Sequence, residues 1–325
     1  MDIFLTGGTG FIGSYLVEQL MKDGHNLTCL IRPTSDIKRL VELDIDMIEG
    51  SVTDIESMRN AMKDVDMVMH FAAMYEIGKV DEKQMYNANV VGTQNVFDLL
   101  QELEVPKSVY CSTEEALGHQ DKVMTETSEH PGKFLSYYEE TKHLAHKLWQ
   151  QCCAEGLDTI TVMPCGVIGP GDTKFTGQFI MNYIKGDMPA IPMPDKKFTF
   201  VHVKDVVDGI KLAIEKGQPK ESYLFGAYVK TIGEMFDMLE KLTGIPKPKR
   251  TSGKMMLKTY AVLQEIKAAF TGKKPFIDRV AARFLADGGF VVDSSKAEKQ
   301  LGWKPMPFEK AMKDTVKWFM EIYGS

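Results

Sequence analysis

Tyr138 and Lys142 stand four residues apart in Leu135-Ser136-Tyr137-Tyr138-Glu139-Glu140-Thr141-Lys142. On a helix this spacing puts both on one face, whereas Tyr137, five from the lysine, points elsewhere. A free phenol titrates near ~10, and a neighbouring ammonium pulls that value toward neutrality by stabilising phenolate. The pair can therefore act as a general acid/base, although Tyr-x-x-x-Lys by itself is an ordinary surface pair. A second polar group closes the run Val109-Tyr110-Cys111-Ser112-Thr113-Glu114, where an apolar stretch ends in two hydroxyls. A hydroxyl there can hold a substrate carbonyl and orient the phenol, or it can simply cap a helix.

A third feature is Gly8-Thr9-Gly10-Phe11-Ile12-Gly13, a G-x-G-x-x-G turn between a strand-like run and a helix. Glycines let the chain turn tightly against a pyrophosphate, and free N–H groups at the helix start attract its charge. Alone the match is weak, because a tight turn that binds nothing has the same pattern. The end of the second strand reads Leu30-Ile31-Arg32-Pro33. An acid at this position suits the ribose hydroxyls of NAD, and a cation suits the 2′-phosphate of NADP. Arg32, helped by Arg39 one helical turn into the next segment, is expected to clamp a phosphate, so NADP(H) is favoured over NAD(H).

These residues need a scaffold that brings them to one edge. Apolar runs at 2–5, 26–31, 46–49, 67–71, 108–111 and 158–164 read as buried strands, with helices at 10–22, 55–63, 82–103 and 137–155. Such alternation implies right-handed βαβ units, hence an α/β chain built on a Rossmann-type doubly wound parallel sheet, with ligands beyond the strands' carboxyl ends. In the last of these helices Leu144, Leu148 and Cys152 form an apolar stripe expected to pack on the sheet. After Gly169 the elements shorten and prolines accumulate at 189, 192 and 194. The expected organisation is a dinucleotide-binding domain over 1–168 and a smaller, mixed substrate-binding lobe over 169–325, with about 200–228 returning to the main sheet. Residues 251–283 read as helical and as one wall of a pocket. Most of the 21 methionines read as core fillers, with Met181, Met188, Met193, Met255 and Met256 the set that could form an adaptable pocket.

The chain has 325 residues, 44% hydrophobic and 26% charged, enough for a sizeable core. Its net charge of -6 argues against a general electrostatic grip on nucleic acid or anionic membrane. The local basic cluster Lys247, Lys249 and Arg250 reads as a solvated loop. Five cysteines without C-x-x-C spacing suggest neither a disulfide framework nor a metal site, and no run reads as a signal or transmembrane segment. A cytoplasmic protein is expected, with a small-molecule substrate and no nucleic-acid or membrane partner.

In combination, these features resemble the extended short-chain dehydrogenase/reductase family, also called the NAD-dependent epimerase/dehydratase family, over nearly the whole length. The matching pieces include Thr6 through Gly13, His70-Phe71-Ala72-Ala73, Asn89-Val90-Val91-Gly92-Thr93, Ser112-Thr113, Tyr138 with Lys142, Pro164 through Gly171, Phe200 through Val206, and Leu301-Gly302-Trp303. The resemblance implies Tyr138 as acid/base and Lys142 as the residue that lowers its pKa and holds the nicotinamide ribose. It implies Thr113 as the substrate-orienting hydroxyl, chosen over Ser112 because the family's hydroxyl lies five residues before a glycine, here Gly118. Gly7, Gly10, Phe11, Ile12 and Gly13 would hold the pyrophosphate, and Ala72 and Ala73 would line the cofactor. Pro164 and Val167 would meet the carboxamide, and Asn89 would steady the active site. His70 reads as a packed strand-end residue.

Two departures stand out. Gly50-Ser51-Val52 replaces a Gly-Asp-Leu or Gly-Asp-Ile, leaving Ser51 and Val52 for the adenine, and Met163-Pro164 replaces an Arg-Pro. The arginines with which nucleotide-sugar members hold substrate phosphates are also missing, with Phe198 and Thr199 at the aligned positions, while Lys196 and Lys197 keep a phosphorylated substrate open. The chain is thus more similar to the dihydroflavonol reductase and 3β-hydroxysteroid dehydrogenase branch. That implies an NADP(H)-dependent carbonyl reductase or alcohol dehydrogenase. The alternatives are a nucleotide-sugar 4-epimerase or dehydratase with tightly bound NAD(P), and a non-catalytic dinucleotide sensor. Many relatives are dimers, so a monomer or a homodimer is expected.

Overall fold

A computed structural model describes residues 1–272 and 274–324. Seven strands form its main sheet: β1 (Asp2–Thr6), β2 (Asn26–Ile31), β3 (Asp46–Glu49), β4 (Met67–His70), β5 (Ser108–Cys111) and β6 (Thr159–Pro164), joined later by Ser222–Phe225. Every pairing in this sheet is parallel, and from one edge the order is β3-β2-β1-β4-β5-β6 followed by that last strand. Strands covered on both faces read as continuous apolar runs rather than alternating ones, which is why Met67, Val68 and Met69 are all buried. The order reverses between β1 and β4, and the crevice beyond their carboxyl ends is the natural ligand position of such a sheet.

Helices cover both faces: α1 (Phe11–Lys22), α2 (Glu56–Arg59), α3 (Glu82–Tyr86), α4 (Gly92–Glu102) and α5 (Tyr137–Ala154), with a π-helical turn at Asn87–Val91 linking α3 to α4. The helix expected at 82–103 is thus one continuous element with a π turn inside it. Between β2 and β3 the chain forms turns rather than a helix, so Arg39 is carried on a turn. Of the stripe expected at Leu144, Leu148 and Cys152, Cys152 is buried and Leu148 packs half-buried against the core, while Leu144 departs. Leu144 is exposed, and the buried face of α5 runs through Tyr138, Thr141, Lys142, Ala145 and Trp149 to Cys152. That face mixes polar with apolar residues, so apolar spacing alone placed its edge at Leu144 and left out Tyr138, Thr141 and Lys142.

The remainder comprises β7 (Gly166–Ile168), α6 (Phe175–Ile184), β8 (Ile191–Pro192), β9 (Lys197–His202), α7 (Val203–Lys216), β10 (Ser222–Phe225), β11 (Tyr228–Thr231), α8 (Ile232–Thr243), β12 (Thr251–Ser252), α9 (Lys254–Thr271), α10 (Arg279–Asp287) and α11 (Phe308–Tyr323). Here β10 is the seventh strand of the main sheet, paired with β6, while β11-β9-β7 and β12-β8 make two small sheets. The motif that opens α7 is tied to the late tryptophan. Trp303 Nε1 donates to Asp205 O at 2.8 Å, and the Asp205 carboxylate accepts from Tyr228 OH at 3.1 Å and Met306 N at 3.2 Å. Those two sequence motifs therefore tie the segment around Trp303 and Met306 to α7 and β11.

Candidate active site

The glycine turn is built by close contact. Gly7 has φ +82°, and a Cβ placed there would lie 2.5 Å from Ala72 N, so β1 and β4 meet at their ends only without a side chain. A Cβ on Gly13 would lie 2.1 Å from Gly7 O, which fixes α1 directly against the turn. Gly10 stands at the N-cap of α1, no side chain caps that end, and its first turn carries no acid. An uncapped helix start with positive partial charge beside glycines fits a pyrophosphate. Phe11 and Ile12 open the helix, and Ser14 Oγ, one turn in, accepts from Arg39 Nη1 at 3.0 Å. The Arg39 guanidinium also sits 5.4 Å from the centre of the Tyr15 ring. Arg32 is exposed just after β2, its backbone N–H donating to Ser35 Oγ at 3.0 Å. Both arginines therefore lie around the end of the adjoining strands, with Arg39 bound to α1.

The remaining cofactor candidates line the same edge. Ala72 N donates to Thr6 Oγ1 at 3.3 Å, and Ala73 follows it. Ser51 Oγ is engaged locally with Thr53 Oγ1 at 2.8 Å, and the Val52 carbonyl accepts from Asn95 Nδ2 at 2.8 Å. Pro164 ends β6 and Val167 lies in β7. His70 is bridged between Thr6 Oγ1 at 2.8 Å and Thr93 Oγ1 at 3.0 Å, and burial pushes its pKa down to about 3. This is a neutral, packed histidine, as its place at a strand end suggests.

Asn89 is the bracket between two elements. Its Oδ1 accepts from Met74 N at 2.7 Å, and its Nδ2 donates to Met74 O and to Thr141 Oγ1, each at 3.0 Å. It thereby ties the loop after β4 to α5. That helix starts at Ser136, whose side chain accepts from Glu139 N at 3.0 Å, a cap worth about 1 kcal/mol. The Glu139 carboxylate accepts from Leu135 N at 2.6 Å and is paired with His130 at 3.0 Å. The start of α5, one residue before Tyr138, is therefore held firmly.

Tyr138 and Lys142 are both buried on one face of α5. Lys142 Nζ donates to Cys111 O at 2.8 Å and to Tyr110 OH at 3.3 Å, so the ammonium is anchored to the end of β5. The expected lowering of the Tyr138 pKa is corrected. Burial, followed by Glu115, Tyr75 and Glu114, raises it well above the ordinary phenol value. The Tyr75 ring meets the Tyr138 ring edge-on, with centroids 4.8 Å apart. The two hydroxyls at the end of β5 differ in surroundings. Ser112 Oγ is hydrogen-bonded to His146 Nδ1 at 3.2 Å inside the core, while Thr113 Oγ1 donates to Glu114 Oε2 at 2.6 Å and caps the short turn Glu114–Leu117.

Sequence reasoning missed Glu114 and Glu115. Both are buried; burial pushes Glu114 up to about 7 and Glu115 well above its ordinary value, and Glu115 Oε2 has no hydrogen-bond partner. The signal was available: two acids directly follow the hydroxyl at the ligand edge of the sheet. With Tyr75 they line a cavity of about 100 Å³ whose other walls include Phe175, Phe179, Phe198, Phe284 and Phe290. No lysine or arginine lines it among the described residues, so Lys196 and Lys197 stand outside its walls. A larger cleft of about 540 Å³ between α6 and α9 shares no residue with this group. Of the chemistry-bearing side chains, Glu114 and Glu115 line the smaller one, while Tyr138 meets it only through the ring of Tyr75, and Thr113 and Lys142 are not among its walls. Of the methionines expected in a pocket, Met181 lines the larger cleft, none lines the aromatic cavity, and Met255 and Met256 are 83% and 61% exposed.

A sheet with this strand order, a glycine cradle at its reversal point and an uncapped helix beside it defines a dinucleotide-binding enzyme fold. The chain belongs to the NAD dependent epimerase/dehydratase family, whose model matches residues 3–226. It is an NAD(P)-dependent oxidoreductase of the extended short-chain dehydrogenase/reductase type. It is 29% identical to a candidate dihydroflavonol 4-reductase of Synechocystis sp., covering 97% of this chain and 94% of that one. It is 30% identical to sterol demethylase protein B of Methylococcus capsulatus, covering 99% of each. The crystal structure of gox2253 superposes with a TM-score of 0.83 at 31% identity, covering 99% of this chain and 98% of that one. No helix among the described residues is long and apolar enough to cross a membrane.

Proposed function

We propose that this chain is an NADP(H)-dependent carbonyl reductase or alcohol dehydrogenase acting on a largely apolar substrate. The observation that carries the reading is the cavity lined by Tyr75, aromatic in its walls and without a cation among the described residues, with the Tyr75 ring packed edge-on against that of Tyr138. Apolar walls with few polar groups suit an apolar carbonyl compound, whereas a substrate pyrophosphate needs several charges. The names of the two relatives, one for a dihydroflavonol and one for a sterol, support the same class.

In this reading the bound nicotinamide supplies the two-electron exchange. Tyr138 gives a proton to the substrate oxygen during reduction and takes it back during oxidation. Its raised pKa keeps it in the acid form needed for reduction. Lys142, anchored to Cys111 O, would reach the nicotinamide ribose, and Thr113 would hold the substrate oxygen. The glycines with Phe11 and Ile12 would hold the pyrophosphate; Arg32 and Arg39 would favour the 2′-phosphate; Ser51 and Val52 would face the adenine. Ala72, Ala73, Pro164 and Val167 would wall the nicotinamide half.

The test is NADPH and NADH oxidation by the purified protein against a panel of aryl, alicyclic and sterol-like ketones, with UDP-sugars in parallel. Net NADPH consumption with an apolar ketone is expected. Interconversion of a UDP-sugar without net consumption would replace the reductase reading with an epimerase.

A further inference from the structure

The helix α9 carries apolar side chains on two opposite faces. Leu257 and Ala261 are buried against the protein, but Met255, Met256, Val262, Leu263, Ile266 and Phe270 stand in solvent, with Phe270 87% and Met255 83% exposed. At about 100° per residue these six fall within one arc of roughly 120°, which also takes in Thr259 and which Ala269 continues. Lys258 borders the arc on one side and Lys267 on the other. Scattered single apolar residues on a surface are ordinary, but a continuous stripe along one helix marks a contact face.

The charge around the stripe is local and opposite to that of the whole. Residues 247–274 hold eight lysines and arginines against one acid, Glu265, in a chain whose net charge is -6. Lys254 and Lys258 share Asp287, and Lys247 pairs with Asp237, but Lys249, Arg250 and Lys267 are exposed, and Lys274 is 93% exposed with Glu76 3.8 Å away. Glu265 itself is paired with Arg279 at 2.7 Å. The net charge that argues against an anionic surface is an average over the molecule, and this segment reverses it.

We propose that α9 lies in the plane of an anionic phospholipid bilayer, with its outer stripe in the acyl boundary and the bordering lysines at the lipid phosphates. An apolar stripe flanked by snorkelling lysines is the pattern of an interfacial helix, and anionic headgroups attract each basic residue near the surface. Pairing of the stripe with the same stripe on a second copy would set these lysines against one another, which disfavours a symmetric dimer through this face. The same helix packs on α10, which supplies Phe284 and Leu285 to the aromatic cavity. Docking would therefore place that wall of the cavity toward the bilayer. The inference rests on surface residues alone and does not depend on the proposed reaction.

Flotation of the full-length protein with extruded vesicles tests it, using phosphatidylcholine alone and phosphatidylcholine with about 30% phosphatidylglycerol. The protein is expected to float with the anionic vesicles and at least about tenfold less with the neutral ones, and added salt should weaken the binding. The double variant Leu263→Glu/Phe270→Glu should lose at least about tenfold in partitioning while keeping the wild-type melting temperature, because both side chains are already exposed. Wild-type protein remaining at the bottom of the gradient with both vesicle types would overturn the proposal. So would equal flotation of the double variant. A wild-type dimer by light scattering that the double variant converts to monomer, without vesicle binding, would assign the face to self-association instead.

Discussion

Replacing Glu114 by glutamine should make the protein more stable at alkaline pH. Burial raises the Glu114 carboxyl from an ordinary 4.5 to about 7. At about 1.4 kcal/mol per pKa unit, that difference amounts to about 3 kcal/mol. The folded state binds this proton more tightly than the unfolded chain. Its stabilising effect is therefore complete below pH 4.5 and lost as pH rises through about 7. Glu115, raised further by burial and by Glu114, acts in the same direction. Glutamine keeps an acceptor for the Thr113 hydroxyl, 2.6 Å away in the wild type, and carries no charge. Urea unfolding at intervals from pH 5 to 8 should show the wild type losing stability across this range and the variant losing about 3 kcal/mol less. Turnover carries a second signature. An ionised Glu114 accepts from the Thr113 hydroxyl more strongly than a neutral carboxyl or carboxamide does, leaving it less free to donate to a substrate oxygen. Carbonyl reduction by the wild type should fall as pH rises through about 7, and the variant should flatten that limb. A variant less stable than wild type at pH 8, with an unchanged slope, would refute the reasoning.

Tyr138→Phe should lower turnover by about 10²–10⁴-fold, while fluorescence titration shows nucleotide binding at the wild-type level. Gly13→Ala, whose new Cβ would fall 2.1 Å from Gly7 O, should abolish nucleotide binding in the same titration and lower the melting temperature. Arg32→Glu should shift preference from NADPH toward NADH by roughly tenfold or more, read as the ratio of dissociation constants. Asn89→Leu removes the partners of Met74 N and O inside the protein and should cost about 2–4 kcal/mol in urea unfolding, leaving turnover impaired even where the protein is folded.

Much of this molecule was determined by the sequence alone, because strands and helices follow from the local periodicity of apolar residues. Residues 26–31, 46–49 and 108–111 form strands at the expected bounds, and the glycine turn, Tyr138 and Lys142 stand on the elements that their spacing implied. Steric need explains the turn: Gly7 and Gly13 are required by backbone contacts that any strand-turn-helix of this kind makes. Tertiary structure decided the chemistry of the side chains. Lys142 is directed at Cys111 O, and the Tyr138 pKa is raised rather than lowered, because burial and the carboxyls of Glu114 and Glu115 outweigh the spacing along one helix. The same holds for the faces of α5 and α9. Leu144 is exposed where an apolar stripe promised burial, and Met255 and Met256 face solvent where a pocket was expected. Periodicity tells that a face is apolar, but only the packing of distant segments decides what covers it and how strongly its charges are desolvated.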